Sequence, residues 1–160
     1  MKSFREYLTE AIPKFEGDPI EHTLNGQKIA TGTPIKVPYV RNISKTKTPN
    51  YGSRFGQDIE PHGTYITPLD RLPHVDHDKE LATVSKSRDT QEYGEVHFKN
   101  PIVIRSDDND PTVGWKKRLH QHYGKKGRAL SKAIIKHGHD GIITVNKYGP
   151  SETVNLQSFK

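Results

Sequence analysis

Gly138-His139-Asp140-Gly141-Ile142-Ile143-Thr144-Val145, then the turn Asn146-Lys147-Tyr148-Gly149-Pro150, then Ser151-Glu152-Thr153-Val154-Asn155-Leu156, is the stretch that decides the fold. Just upstream, Ala129, Leu130, Ala133 and Ile134 recur at the spacing of one inward helical face. Gly138 supplies the left-handed stop that ends such a helix. Ile142 to Val145 then reads as a buried strand. The turn leads into a second strand with one carboxylate, Glu152, at its entrance. A carboxylate fixed there can stabilise a developing positive charge without forming a bond to it.

Working outward, Ile35 to Ile43 combines β-branched residues with partial alternation and predicts a strand, with Pro38 favouring an edge or bulged position. Gly63-Thr64-Tyr65-Ile66-Thr67 predicts a short strand stopped by Pro68. Asp76 to Ser87 has helical spacing, with Asp76 or Asp78 as cap and Leu81, Ala82 and Val84 inward. Tyr93 to Phe98 and Ile102 to Arg105 read as strand segments interrupted at Asn100-Pro101. Helices are expected from Thr112 through Tyr123 and from Lys126 to His137. The order β–β–α–β–β–α–α–β–β is an α+β pattern, a small twisted sheet with flanking helices.

The chain has 160 residues, which suits one domain. Apolar residues make up 31% and charged residues 28%, so a thin core with long polar loops is expected. Residues 11–34 are rich in Gly, Pro and polar groups and read as a linker or flexible arm, leaving 35–160 as the folded domain. With no cysteine, a disulfide framework, a Cys-based zinc site and a thiol nucleophile are all excluded. No apolar run approaches the length of a membrane span, so no membrane partner is expected.

The net charge of +6 is unevenly placed. Lys116, Lys117, Arg118, Lys125, Lys126 and Arg128 fall in a stretch without an acid. Such a block suits nucleic acid or an acidic protein, and equally a solvated helical face. His74/His77, His120/His122 and His137/His139 form close pairs beside Asp76, Asp78 and Asp140. They lie on loops and helix ends, and are read as solvent-exposed histidines with no metal site.

Met1, Phe4, Tyr7, Leu8 and Ala11 share the spacing of a short amphipathic helix that Pro13 ends. This start resembles the capsid-targeting peptide of internal head proteins in T-even-type tailed phages, whose prohead protease cuts after a Leu/Ile-x-Glu triplet. The resemblance implies that residues 1–10 are a targeting peptide, cleaved after Leu8-Thr9-Glu10 so that the mature chain begins at Ala11.

Four further stations resemble ADP-ribosyltransferase-like domains of phage and polyvalent proteins. They are Tyr39-Val40-Arg41; Phe55-Gly56 through Gly63-Thr64-Tyr65-Ile66-Thr67; Glu92 to Val96 followed by Lys99-Asn100-Pro101-Ile102-Val103; and the C-terminal pair of strands. His139 stands where that family carries an aromatic, and Pro150 removes any Glu-x-Glu doublet. The resemblance implies a split twisted sheet and NAD as the substrate cofactor. It also implies Glu152 as the catalytic acid beside the ribose, Arg41 on pyrophosphate or ribose oxygens, Tyr65 stacked on nicotinamide and Thr67 close to it. Each residue also has a plainer reading: an exposed strand-start acid, an edge-strand charge, a half-buried sheet aromatic and a strand former.

The leading expectation is therefore a phage internal head protein, carried in the virion and injected with the DNA into the host cytoplasm. There it would act as an NAD-dependent mono-ADP-ribosyltransferase on a host protein or nucleic acid. The alternative is a non-enzymatic basic internal protein that binds packaged DNA or inhibits a host defence enzyme.

Overall fold

The computed structural model describes residues 12–43, 59–69, 90–106, 114–157 and 159. The expected targeting peptide with Leu8, Glu10 and Ala11, the Phe55-Gly56 station, the helix expected over 76–87 and the His74/His77 pair lie outside the described residues. Among the described residues, eight strands and two helices follow in the order β1 (Thr23–Leu24), β2 (Gln27–Lys28), β3 (Ile35–Ile43), β4 (Thr64–Pro68), β5 (Thr90–Phe98), β6 (Pro101–Arg105), α1 (Gly114–Tyr123), α2 (Gly127–Lys136), β7 (Gly141–Asn146) and β8 (Gly149–Asn155). The chain is α+β, as its pattern implied.

Strands β3 to β8 form one mixed sheet in the order β5-β3-β4-β8-β7-β6, with β6 parallel to β7 and every other neighbour antiparallel. β5 and β6 are separated only by Lys99 and Asn100, yet lie at opposite ends of that order. The sheet must therefore curl until its two ends meet. The apolar side chains record this. Ile35, Val37, Ile66, Val96, Phe98, Val103, Ile143 and Val145, from both ends of the sheet, share one buried cluster on the inner face. Ile102, Ile104, Ile142 and Val154 alternate to the other face, where Trp115, Leu119, Tyr123, Leu130 and Ile134 of the helices cover them.

His139 and Asp140 fasten the meeting point. The Asp140 carboxylate accepts the Lys99 N–H at 2.7 Å and the Asn100 N–H at 3.0 Å. The Nδ1 of His139 lies 3.0 Å from the Asn100 carbonyl. Gly141 is required because a Cβ there would sit 2.2 Å from the Phe98 ring. Gly138 takes φ +91 and ends α2, its N–H donating to the Ile135 carbonyl at 2.8 Å.

Residues 12–34 correct the flexible-arm expectation. Phe15, Leu24 and Ile29 are buried, the first under the helices and the other two in the inner core. The segment also caps the outer edge of β6. Asp18 N–H donates to Val103 O at 2.9 Å and Gly32 N–H to Pro101 O at 2.9 Å. Val103 N–H donates to Thr31 Oγ1 at 2.8 Å and Arg105 N–H to Asp18 Oδ2 at 2.7 Å. An edge strand whose polar groups are met this way offers no template for another chain. Arg118 grips the same Asp18 carboxylate at 2.6 and 3.0 Å. Burial alone would raise that carboxyl's pKa, but the Arg118 and Arg105 hydrogen bonds and charges hold it below the ordinary value. Gly and Pro content identified turns in this segment; two-residue strands and isolated apolar anchors gave no periodicity to read.

Pro38 lies on β3, between β5 and β4, yet is paired on the β5 side alone, the edge position its sequence implied. The ladder from β3 to β4 covers only Tyr39 and Val40, so Pro38 falls just beyond it.

Candidate functional site

Glu152 lies in the middle of β8 rather than at its entrance, and it sits in a β-bulge. Ile143 pairs with Thr153 while Val145 pairs with Pro150, so Ser151 and Glu152 together oppose the single residue Thr144. Thr144 Oγ1 donates to the Glu152 carbonyl at 2.6 Å and closes the irregularity. Bulges re-aim side chains and are frequent beside active sites.

Register decides which candidates share a face. β4 pairs with β8 through Thr64↔Asn155, Tyr65↔Val154 and Ile66↔Thr153, and Thr67 and Glu152 are the next residues along the two strands. Directly opposed residues project to the same side. Val154 and Tyr65 pack with the helix-covered core and Ile66 with the inner core, so Tyr65, Thr67 and Glu152 belong to the helix side. The Tyr65 phenol is held well above its ordinary pKa, first by burial and then by the charges of Glu60 and Glu152.

Arg41 is not with them. Val40 pairs with Thr67, so Arg41, one residue on, takes the opposite face, in line with Tyr39, Val37 and Ile35 of the inner core. There it forms an ion pair with Glu92 of β5, which also accepts a hydrogen bond from the Tyr39 hydroxyl at 3.5 Å. Both charged side chains are about one-third exposed, at 34% and 38%. Tyr65, Thr67 and Glu152 thus share a face of the sheet from which Arg41 is absent.

Around Tyr65 are groups the sequence reading had placed elsewhere. Lys116, read as part of a surface block, is only 2% exposed. Its ammonium meets Glu60 at 2.8 Å and lies 5.8 Å from the Tyr65 ring centroid and 5.5 Å from that of Trp115. The Tyr65 hydroxyl donates to the Pro61 carbonyl at 2.7 Å, and its ring is 6.4 Å from Trp115. Tyr65 is therefore a wall fixed at both ends, not a ring open on its two sides. Trp115 Nε1–H is buried and meets no acceptor among the described residues. A helical period pointing Lys116 inward beside Trp115 was the available signal, masked by the lysines and arginines around it.

The histidines also differ from their surface reading. His139 is 2% exposed. His137 Nδ1 lies 2.9 Å from the Tyr123 hydroxyl, His122 Nε2 lies 2.6 Å from the Pro13 carbonyl, and His120 Nδ1 lies 2.9 Å from the Lys125 carbonyl. Among the described residues no three His, Asp or Glu side chains gather as a metal site, and no helix is long and apolar enough to cross a membrane. No protein-family model, curated protein or solved structure matches this chain.

Proposed function

We propose that the chain is an ADP-ribosyltransferase-like domain that cleaves NAD at the helix-side face of β4 and β8 and transfers ADP-ribose to a host macromolecule. The observation carrying this reading is the bulge-borne Glu152 on the same face as Tyr65 and Thr67, with its charge felt by the Tyr65 phenol. In the proposed reaction the bond from ribose C1′ to the nicotinamide nitrogen breaks, and its electron pair leaves with nicotinamide. The ribose becomes oxocarbenium-like, and a nucleophile of the target forms the new bond to C1′. A carboxylate fixed beside the ribose lowers that barrier without itself bonding to it. Glu152 takes this role through the ribose 2′-hydroxyl, and Thr67 supplies a neighbouring hydroxyl. Tyr65 forms the back wall, braced by Trp115 and the Lys116–Glu60 pair. Arg41 has no part in the site, since it faces the other core. The capsid-targeting reading of residues 1–10 supplies the route: packaging in the virion, cleavage after Glu10 by the prohead protease, and entry into the host cytoplasm with the DNA.

Incubating the protein with labelled NAD and a bacterial host lysate tests the reading. Wild type should incorporate label or release nicotinamide, and Glu152→Gln should lose roughly 100- to 1000-fold in rate. Equal activity in the two proteins, or none in wild type, rejects it.

A further inference from the structure

Resting on the NAD reading above, we propose that Tyr93 is the platform on which the adenine ring of the dinucleotide stacks. Tyr93 is the most exposed large apolar side chain among the described residues, at 61%. A lone exposed aromatic is ordinary, and its position in the sheet is what singles this one out. Val40 of β3 pairs with Tyr93 of β5 on one side and with Thr67 of β4 on the other. Opposed residues project to the same side, so Tyr93, Val40 and Thr67 form a row on the helix side of the sheet. That row runs toward Glu152 of β8, which follows the Ile66↔Thr153 pair on its strand as Thr67 does on β4.

The helix-side face changes character along this row. Among the described residues, its buried cluster draws on β6, β7 and β8, with Tyr65 of β4 packed against it, and takes nothing from β3 or β5. At that other end Lys36, Tyr93, Glu95 and His97 are exposed, and Pro38 and Val40 are half-buried. The braced Tyr65 therefore stands as a step, with Thr67, Val40 and Tyr93 as the shelf beside it. Neighbouring strands lie about 4.8 Å apart, so three steps separate Tyr93 from Glu152 by roughly 14 Å. Nicotinamide is bonded directly to the ribose that Glu152 serves, and cannot reach so far. The adenine is at the opposite end of the molecule, and a dinucleotide laid across the strands carries it toward Tyr93. The ring is also well supported. Continuous pairing from Ile35↔Phe98 to Ile43↔Thr90 holds β5 to β3, and the Tyr93 hydroxyl donates to Gln91 Oε1 at 3.0 Å. On the opposite face Tyr39 packs so closely under Gly94 that a Cβ there would lie 2.7 Å from its hydroxyl. An aromatic ring presented by a strand in this way stacks at little ordering cost.

Calorimetric titration of the full chain with NAD, and with nicotinamide mononucleotide, which lacks the adenine, tests the inference. NAD should bind Tyr93→Ala roughly 10-fold more weakly than wild type, the loss of one base–aromatic stack. Tyr93→Phe, which keeps the ring, should bind NAD as wild type does, and all three proteins should share one melting temperature. Nicotinamide mononucleotide should bind wild type and Tyr93→Ala alike. Unchanged NAD affinity in Tyr93→Ala would overturn the inference while leaving the NAD reading standing. So would an equal loss for both ligands, which would put Tyr93 at the nicotinamide end. A wild type that binds neither ligand would reject the NAD reading itself, and the inference with it.

Discussion

The buried His139 ring has its Nδ1 at the Asn100 carbonyl and its Nε2 without a hydrogen-bond partner among the described residues. Burial lowers its pKa first, with Lys14 and His137 acting in the same direction against the Asn100 hydrogen bond and Asp140. His137 is lowered for the same leading reason, with His122, Lys14 and Lys136 adding to it. The unfolded chain therefore binds these protons more readily than the folded one. Stability is complete above the ordinary value of 6.5 and declines as pH falls below it toward the folded-state values. Melting curves recorded across this window should show that decline, and His139→Phe should flatten most of it. An unchanged slope in the variant would place the titrating group elsewhere. Lys116 teaches the converse lesson: residue type alone assigns a lysine to the surface, whereas its partner Glu60 lies more than fifty positions away and cannot be read locally.

At the scale of elements, the meeting of β5 and β6 depends on Gly141 making room for Phe98. Gly141→Ala should destabilise by roughly 2 kcal/mol through overpacking, measured by urea denaturation. Phe98→Leu in the same chain should recover part of that loss, and strict additivity of the two changes would deny the contact. The segment 12–34 acts as a strap, so Phe15→Ala should cost roughly 3 kcal/mol. Deleting residues 1–10, in contrast, should leave the melting temperature unchanged, because the proposed processing removes them before the mature chain acts. A large drop on that deletion would show that residues 1–10 are part of the fold. The longer elements were legible because their patterns are local: the β3 alternation, the α2 stripe with its Gly138 stop, and the Ile-Ile-Thr-Val strand. β1 and β2 were not, since two residues carry no period, and their stability comes from Leu24 entering a distant core. The β8 bulge was also hidden, because it exists only in the register with β7.

For the molecule as a whole, curling one mixed sheet creates two cores, and the candidate residues divide between them. Resemblance along the sequence places Arg41, Tyr65, Thr67 and Glu152 in one set, but strand alternation puts Arg41 on the inner face and the other three on the helix side. Trp115, the single tryptophan of the chain, lies against Tyr65 and reports on the proposed face from within it. The most direct measurement is therefore Trp115 emission during titration of the full chain with NAD, in wild type and in Arg41→Ala. A saturable change of similar midpoint in both proteins is predicted, since the proposed NAD site is on the β4–β8 face, away from Arg41. No change with NAD, or a response abolished by Arg41→Ala, would contradict that placement.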